Sequence, residues 1–482
     1  MGETQMSTFS KVFGINKSQA ELDFIDVPIN SDMPLFIDPY AISQRKDAWS
    51  ISCHEVIKYY FQLIVESVRS NNHNKAKELL LHLKEPNETH LGFSKKRPQG
   101  AGIGRFQADQ LYHAISASSA VKTGFLSSLE ECELMIDGIS RDKISDLTTN
   151  IIRKKLEEYT IAQCELYNIP LAEVSLSPYF APDANAWLSD YYHLPIYKKK
   201  PILLVPKFIA RYSLDYDSSD YYNFHVLNYL QVENLSAKSS LVRTLKNGKS
   251  VVYKKDLKAK YPFSKEFLFT FSKNNPEVLK KYKEALSKLE KDHNEITEGS
   301  ESEHLLAETL LLALQNIPTG TDYAASYHNL MLGIVEFIFY PFLIYPKKEQ
   351  EIHDGRKRID IVMENGAKSG IFRRLHEIRG INCPFIFIEC KNYRTEVANP
   401  EIDQLAGRFS RDRGSIGIMC CRNFENEKLF LKRCIDTFKD GRGLIIYLND
   451  TRIIELLSLI KNLDRKKLDE KITEYFNAVH FP

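Results

Sequence analysis

The chain has 482 residues, with 65 Lys and Arg against 63 Asp and Glu, a formal charge of +2. Apolar residues make up 43% and aromatics 11%, which supplies packed cores and excludes a disordered or fibrous chain. A near-neutral balance also excludes a global attraction to polyanions, so any nucleic-acid surface has to be a local patch.

The length points to two or three domains at roughly 150 residues each. No basic segment followed by an apolar run opens the sequence, which argues against secretion. The most apolar stretch, residues 330–345, is too short to span a bilayer and contains Glu336 and Pro341. Eight cysteines without a CxxC pair argue against a zinc knuckle or a disulfide framework. They fit a reducing cytoplasm, and no membrane partner is expected.

In chain order, residues 8–48 read as short strands and turns around FIDVPI and PLFIDPY. Helical periodicity follows at 54–83 and at 143–168, the second with Ser145 or Asp146 as N-cap and Pro170 as its stop. PILLVP (201–206) reads as a strand, and TLKNGKSVVY as a hairpin turning at Asn247-Gly248. Residues 276–292 form a highly charged helix, and the polar stretch 294–303 reads as a linker. The expected division is an α+β recognition, regulatory or assembly region at 1–275, a charged helix and linker at 276–300, and a second domain at 301–482.

That second domain alternates helices and strands. Helices at 302–315 and 322–340 precede strands at FLIYPKKEQ, 356–364, 383–393, 415–421 and 444–448, with helices between and after them. The alternation implies an α/β core, a mixed sheet flanked by helices.

Within it, the apolar run of PFIFIECKN marks a buried central strand, where a charge is costly unless paired or bound to metal. Glu389 and Lys391 are two apart and so share one strand face, while Ile388 and Cys390 take the other. In RKRIDIVME, Asp360 offers a third charge from a strand that could lie adjacent. Two carboxylates converging from neighbouring strands make an oxygen-rich site for Mg²⁺.

These residues resemble the PD-(D/E)xK nuclease superfamily, the restriction-endonuclease-like fold. Its pattern is an acid on an early helix, Asp on the second strand, Glu-x-Lys on the third and often Gln on the next helix. Asp360, Glu389-Cys390-Lys391 and Gln404 stand in the last three places, and IECKNY is closest in wording to the Mrr and Holliday-junction-resolvase branches. The resemblance covers roughly residues 320–450. Because 28 residues separate Asp360 from Glu389, an inserted helix around RRLHEIRG is expected.

For the helix acid, Glu336 is preferred because GIVEFIFY surrounds it with apolar neighbours; Glu308 is the alternative. The resemblance implies a Mg²⁺-dependent endonuclease, with Mn²⁺ as a substitute, held by Asp360, Glu389 and the Cys390 carbonyl. Lys391 would position and help deprotonate the attacking water. Local cations would contact the nucleic acid, chiefly Arg356, Lys357, Arg358, Arg408 and Arg411. DNA is the expected substrate, with RNA left open. A homodimer or larger homo-oligomer, partner defence proteins and a role in bacterial anti-phage defence or restriction complete the expectation. The competing expectation is a catalytically silent scaffold or nucleic-acid-binding protein on the same fold. KNGKS at 246–250 lacks the first glycine of a phosphate loop and is set aside, and His54, His304 and His328 show no metal spacing.

Overall fold

A computed structural model describes residues 7–82, 84–92, 103–126, 128–211, 216–245, 247–289, 300–352, 357–395 and 397–481. Two apolar cores divide these residues. The first runs from Phe9 to Leu286 and takes in Ile344 and Tyr345; the second runs from Ala307 to Val479 and takes in Ala20 and Leu166. The helix Pro276–Leu289 is no spacer: Val278, Leu279, Tyr282 and Leu286 are buried in the first core.

The first core is mostly helical. The periodic stretch expected at 54–83 forms two helices, Ala48–Arg69 and His73–Leu80, broken where Asn71 adopts a left-handed φ of 57°. Asn72 then caps the second helix by accepting from the Lys75 amide. The stretch at 143–168 likewise splits, into Arg141–Ile151 and Arg153–Tyr167. Its cap position is Ser140, not Ser145 or Asp146, and Ser145 Oγ instead accepts the Ile37 amide at 2.9 Å. Residues 202–206 of PILLVP are buried but do not pair as a ladder through 202–205. Its amides go singly to Pro195 O, Glu88 O and Thr160 Oγ1 (3.0, 2.8 and 2.9 Å), partners from three separate segments. The hairpin forms, with Arg243–Thr244 paired to Ser250–Val251 and Gly248 at a φ of 79° that favours glycine.

The second core surrounds one five-stranded sheet. Helices α1 (Ser300–Asn316) and α2 (Ala324–Phe339) lead into β1 (Leu343–Ile352), β2 (Lys357–Asn365) and β3 (Phe385–Lys391). Then come α3 (Asn399–Ala406), β4 (Ile416–Cys421), α4 (Glu427–Lys439), β5 (Leu444–Leu448), α5 (Asp450–Lys461) and α6 (Arg465–His480). The strands lie in sequence order; β2 runs antiparallel to its neighbours β1 and β3, while β3, β4 and β5 are parallel. Strands β4 and β5 are apolar throughout because helices cover both faces, as crossover connections require. Between β2 and β3 the chain makes the expected helical excursion, Gly370–Arg373 running into a wider turn at Arg374–Ile378. Asn365 closes it, its amide bonding Pro384 O (2.9 Å) and its Nδ2 bonding Cys383 O (3.0 Å).

The two cores meet at a buried charge cluster. Asp23 accepts the Tyr345 amide at 3.0 Å and the Tyr159 hydroxyl at 2.7 Å. Lys207 pairs with Glu336 at 3.3 Å and lies 4.0 Å above the Tyr340 ring. Lys17 donates to Asn329 O at 3.0 Å, and Gly333 makes room for this approach, since a Cβ there would lie 2.5 Å from Glu21 and Lys17. Asp23, Lys207 and Glu336 are all at most 2% exposed. Two carboxylates thus share one ammonium. Burial pushes Glu336 up to about 8, Lys207 opposes this and Asp23 reinforces it, so the extra charge is removed by a proton.

Two outcomes follow for stability. Lys207→Met leaves both carboxylates without their cation and should cost about 3–5 kcal/mol in chemical denaturation at alkaline pH. Glu336 binds its proton more tightly folded than unfolded, so its stabilisation is complete below its ordinary value of 4.5 and lost as pH rises through about 8. Calorimetric melting should therefore show a midpoint that falls with rising pH across that window, and Glu336→Gln should flatten the fall. A Glu336→Gln profile as steep as that of the unaltered chain would contradict the shared-proton cluster.

Candidate active site

The site grows from the middle strand. Ile361 pairs with Ile388, and the same antiparallel register places Asp360 opposite Glu389. Alternation along β3 turns Glu389 and Lys391 to one face, as the spacing requires, and Cys390 to the other, where it meets Cys420 of β4. The Cys390 amide donates to Asp360 Oδ2 at 2.8 Å, tying the two acid-bearing strands together at the site itself.

Glu389 has no exposed surface. Its Oε1 accepts from Gln404 Nε2 at 3.3 Å and lies 3.7 Å from Arg408 Nη2. Its Oε2 is 3.5 Å from Lys391 Nζ and has no hydrogen-bond partner among the described residues. Burial, followed by the adjacent Asp360 carboxylate, pushes Glu389 up to about 8 against the pull of Lys391 and Arg408. Burial would lower the Lys391 ammonium, but Glu389 and Asp360 together hold it above its usual range.

Gln404 and Arg408 reach Glu389 because α3 sits close against β4. A Cβ on Gly417 would lie 2.8 Å from Leu405, so glycine at this point of β4 sets the depth of the helix. Arg408, expected among the nucleic-acid contacts, is 6% exposed and turns its Nη2 toward Glu389. Arg411 is not brought to the site. It lies on the turn before β4, where its carbonyl accepts from Asn382, at the far end of β3 from Lys391 and about 20 Å along the strand. Arg356 lies outside the described residues, and so do the side chains of Lys357 and Arg358.

The structure also seats Glu336 elsewhere, in the junction with Lys207 and Asp23, and Glu308 pairs at the surface with Lys461 at 3.0 Å. The group that α2 sends to the site is His328, two turns earlier and ~12 Å away along the helix. His328 Nε2 is 3.0 Å from the Cys390 carbonyl and 3.7 Å from Asp360 Oδ2. A carbonyl only accepts, so this nitrogen carries the proton. No local sequence signal marks His328, because its role depends on how α2 crosses β3.

Asn392, the last letter but one of IECKNY, was also missed. Its Nδ2 donates to Pro318 O and Gly320 O, both at 3.0 Å, and so fixes the loop that launches α2. Beside it Arg422 pairs with Asp450 at 3.0 Å and lies over the Tyr327 ring at 5.3 Å. Among the described residues no group of three or more His, Cys, Asp and Glu side chains is placed to hold a metal ion. The oxygen donors available are the carboxylates of Asp360 and Glu389 and the Cys390 carbonyl.

No helix among the described residues is long and apolar enough to cross a membrane. Comparison with curated proteins and with solved structures gives no match. Residues 14–217, within the first core, are similar to a family described as a domain of unknown function, DUF8370.

Proposed function

We propose that the chain is a divalent-metal-dependent nuclease that hydrolyses phosphodiester bonds of DNA, in a bacterial defence or restriction setting. The observation that carries this reading is the Glu389 carboxylate. It is fully enclosed on the central strand, with one oxygen facing Gln404 and Arg408 and the other, beside Asp360 and Lys391, without a hydrogen-bond partner among the described residues. Burial and Asp360 raise this carboxyl to about 8, and a divalent cation would take the place of its proton. The order of helix, three antiparallel strands, helix and parallel strand supports the restriction-endonuclease-like assignment.

The donor set fits a hard cation: Asp360, Glu389 and the Cys390 carbonyl would hold Mg²⁺, or Mn²⁺ in its place. When bound, the ion would polarise the scissile phosphate and offset its developing charge. Lys391, held as an ammonium by its two carboxylate neighbours, orients the attacking water by donating to it and offsets charge on the phosphate. His328 fixes the Cys390 carbonyl, while Gln404 and Arg408 fix the rotamer of Glu389. Cutting both strands of a duplex calls for two such sites, which favours a homodimer.

Labelled DNA incubated with the protein and Mg²⁺ or Mn²⁺ should be cut. Glu389→Ala and Lys391→Ala should each remove activity by at least ~10²-fold, the scale of losing one transition-state contact. Cleavage that survives both substitutions contradicts the assignment. Gly417→Val should push α3 outward and displace Gln404, lowering kcat by roughly 10²-fold with little change in KM. An RNA substrate run in parallel separates the two nucleic acids.

One observation favours a second reading, a scaffold that keeps the fold without the chemistry: the absence of a third metal-ligating side chain among the described residues. Calorimetric titration with Mn²⁺ distinguishes them. The nuclease reading expects binding that Asp360→Ala abolishes, and the scaffold reading expects identical traces.

A further inference from the structure

The chain's charge is unevenly placed. From Lys238 to Lys265 the sequence holds nine Lys or Arg and one acid, Asp256. Taking those 9 and 1 from the chain's 65 and 63 leaves 56 cations against 62 carboxylates, so this one segment is strongly positive in an otherwise acidic molecule. It folds as the hairpin Arg243–Thr244/Ser250–Val251 followed by the short helix Lys254–Lys260. Leu257 buries the inner side of that helix, and Arg243 pairs with Asp256 at 2.7 Å, fastening hairpin to helix. Helical spacing sets Lys255 opposite Leu257 and Lys258 to the side of it, so both face outward. Lys249, Lys255, Lys258 and Lys260 are exposed, and none of them has a carboxylate partner among the described residues.

Aromatic rings stand exposed among these cations. Phe224 is 60% exposed, and Tyr253 and Phe263 are each 46% exposed. Lys254 Nζ lies 5.6 Å from the Phe224 ring and donates to Asn223 O at 2.8 Å; Arg243 lies 5.6 Å from the Tyr253 ring. Exposed rings that serve only folding are costly to leave in water, and lysines without acids favour a polyanion. The combination, cations for phosphates and open ring faces for bases, is that of a single-strand nucleic-acid platform.

We propose that the hairpin 243–251, the helix Lys254–Lys260 and the rings of Phe224, Tyr253 and Phe263 form a binding site for single-stranded nucleic acid in the first core, separate from the Glu389 site. Lys249, Lys255, Lys258 and Lys260 contact phosphates, and the rings stack on unpaired bases. This site goes beyond the nuclease reading and does not depend on it, since it concerns binding alone.

The test is fluorescence anisotropy of a labelled single-stranded oligonucleotide with the full chain in EDTA, across a series of salt concentrations. Lys255→Ala with Lys258→Ala removes two phosphate contacts. It should weaken binding and reduce the slope of log affinity against log salt by about 1.4, at ~0.7 per contact. Phe224→Ala with Tyr253→Ala should weaken binding about five-fold or more and leave the slope unchanged. All four side chains are at the surface, so circular dichroism and melting midpoints should match the unaltered chain. Unchanged affinity and slope in both double variants would overturn the proposal. So would preference for phosphatidylserine vesicles over the oligonucleotide, or tighter binding of a duplex that the ring substitutions leave unaffected. DNA cleavage that persists while this binding is absent would refute the platform and leave the nuclease reading standing.

Discussion

A charge on a central strand has to be answered from its own face, and the second domain is organised around that demand. Glu389 sits between two hydrogen-bonded neighbours in the middle of five strands, with no exposed surface. Two elements converge to meet it, α3 with Gln404 and the turn after it with Arg408, and β3 itself with Lys391, while the Asp360 carboxylate of β2 adds to the demand. Gly417 exists in this arrangement as clearance, letting α3 come close enough for its polar groups to reach across. Each answer is partial, and among the described residues one buried oxygen of the carboxylate has no hydrogen-bond partner. Burial and the adjacent Asp360 raise Glu389 to about 8, so a proton answers what these neighbours leave.

Helix α2 joins this site to the rest of the chain. Near its start His328 meets the Cys390 carbonyl, and two turns later Glu336 enters the charge cluster of the first core. Strand β1 makes a second connection, with Tyr345 bonded to Asp23 through its amide and packed on Tyr159 at a ring separation of 5.1 Å. A fragment beginning at residue 301 would lack Lys207 and Asp23 while keeping Glu336 and Tyr345. The boundary that composition suggests at about residue 300 therefore separates two cores that share buried polar contacts.

What the sequence disclosed follows from which signals are local. The run FIFIEC announces a buried strand because parallel strands are apolar on both faces, and the spacing of Glu389 and Lys391 fixes their shared side. Asp360 was legible for the same reason, since alternation between Ile359 and Ile361 sets its direction. Glu336 misled because an acid among apolar neighbours signals a partner without saying which. Its partner, Lys207, lies far earlier in the chain, and no pattern near either residue links them. His328 and Asn392 were invisible for the complementary reason: their work is done on backbone carbonyls, which carry no sequence signature. PILLVP read as a strand from composition, whereas its amides are taken singly by three different segments.

The most direct test is crystallographic. Crystals of the full chain soaked in Mn²⁺ should show an anomalous-difference peak bridging Asp360 and Glu389 beside the Cys390 carbonyl, with Glu389 Oε2 turned to it. Data from such crystals with no peak there would contradict the account.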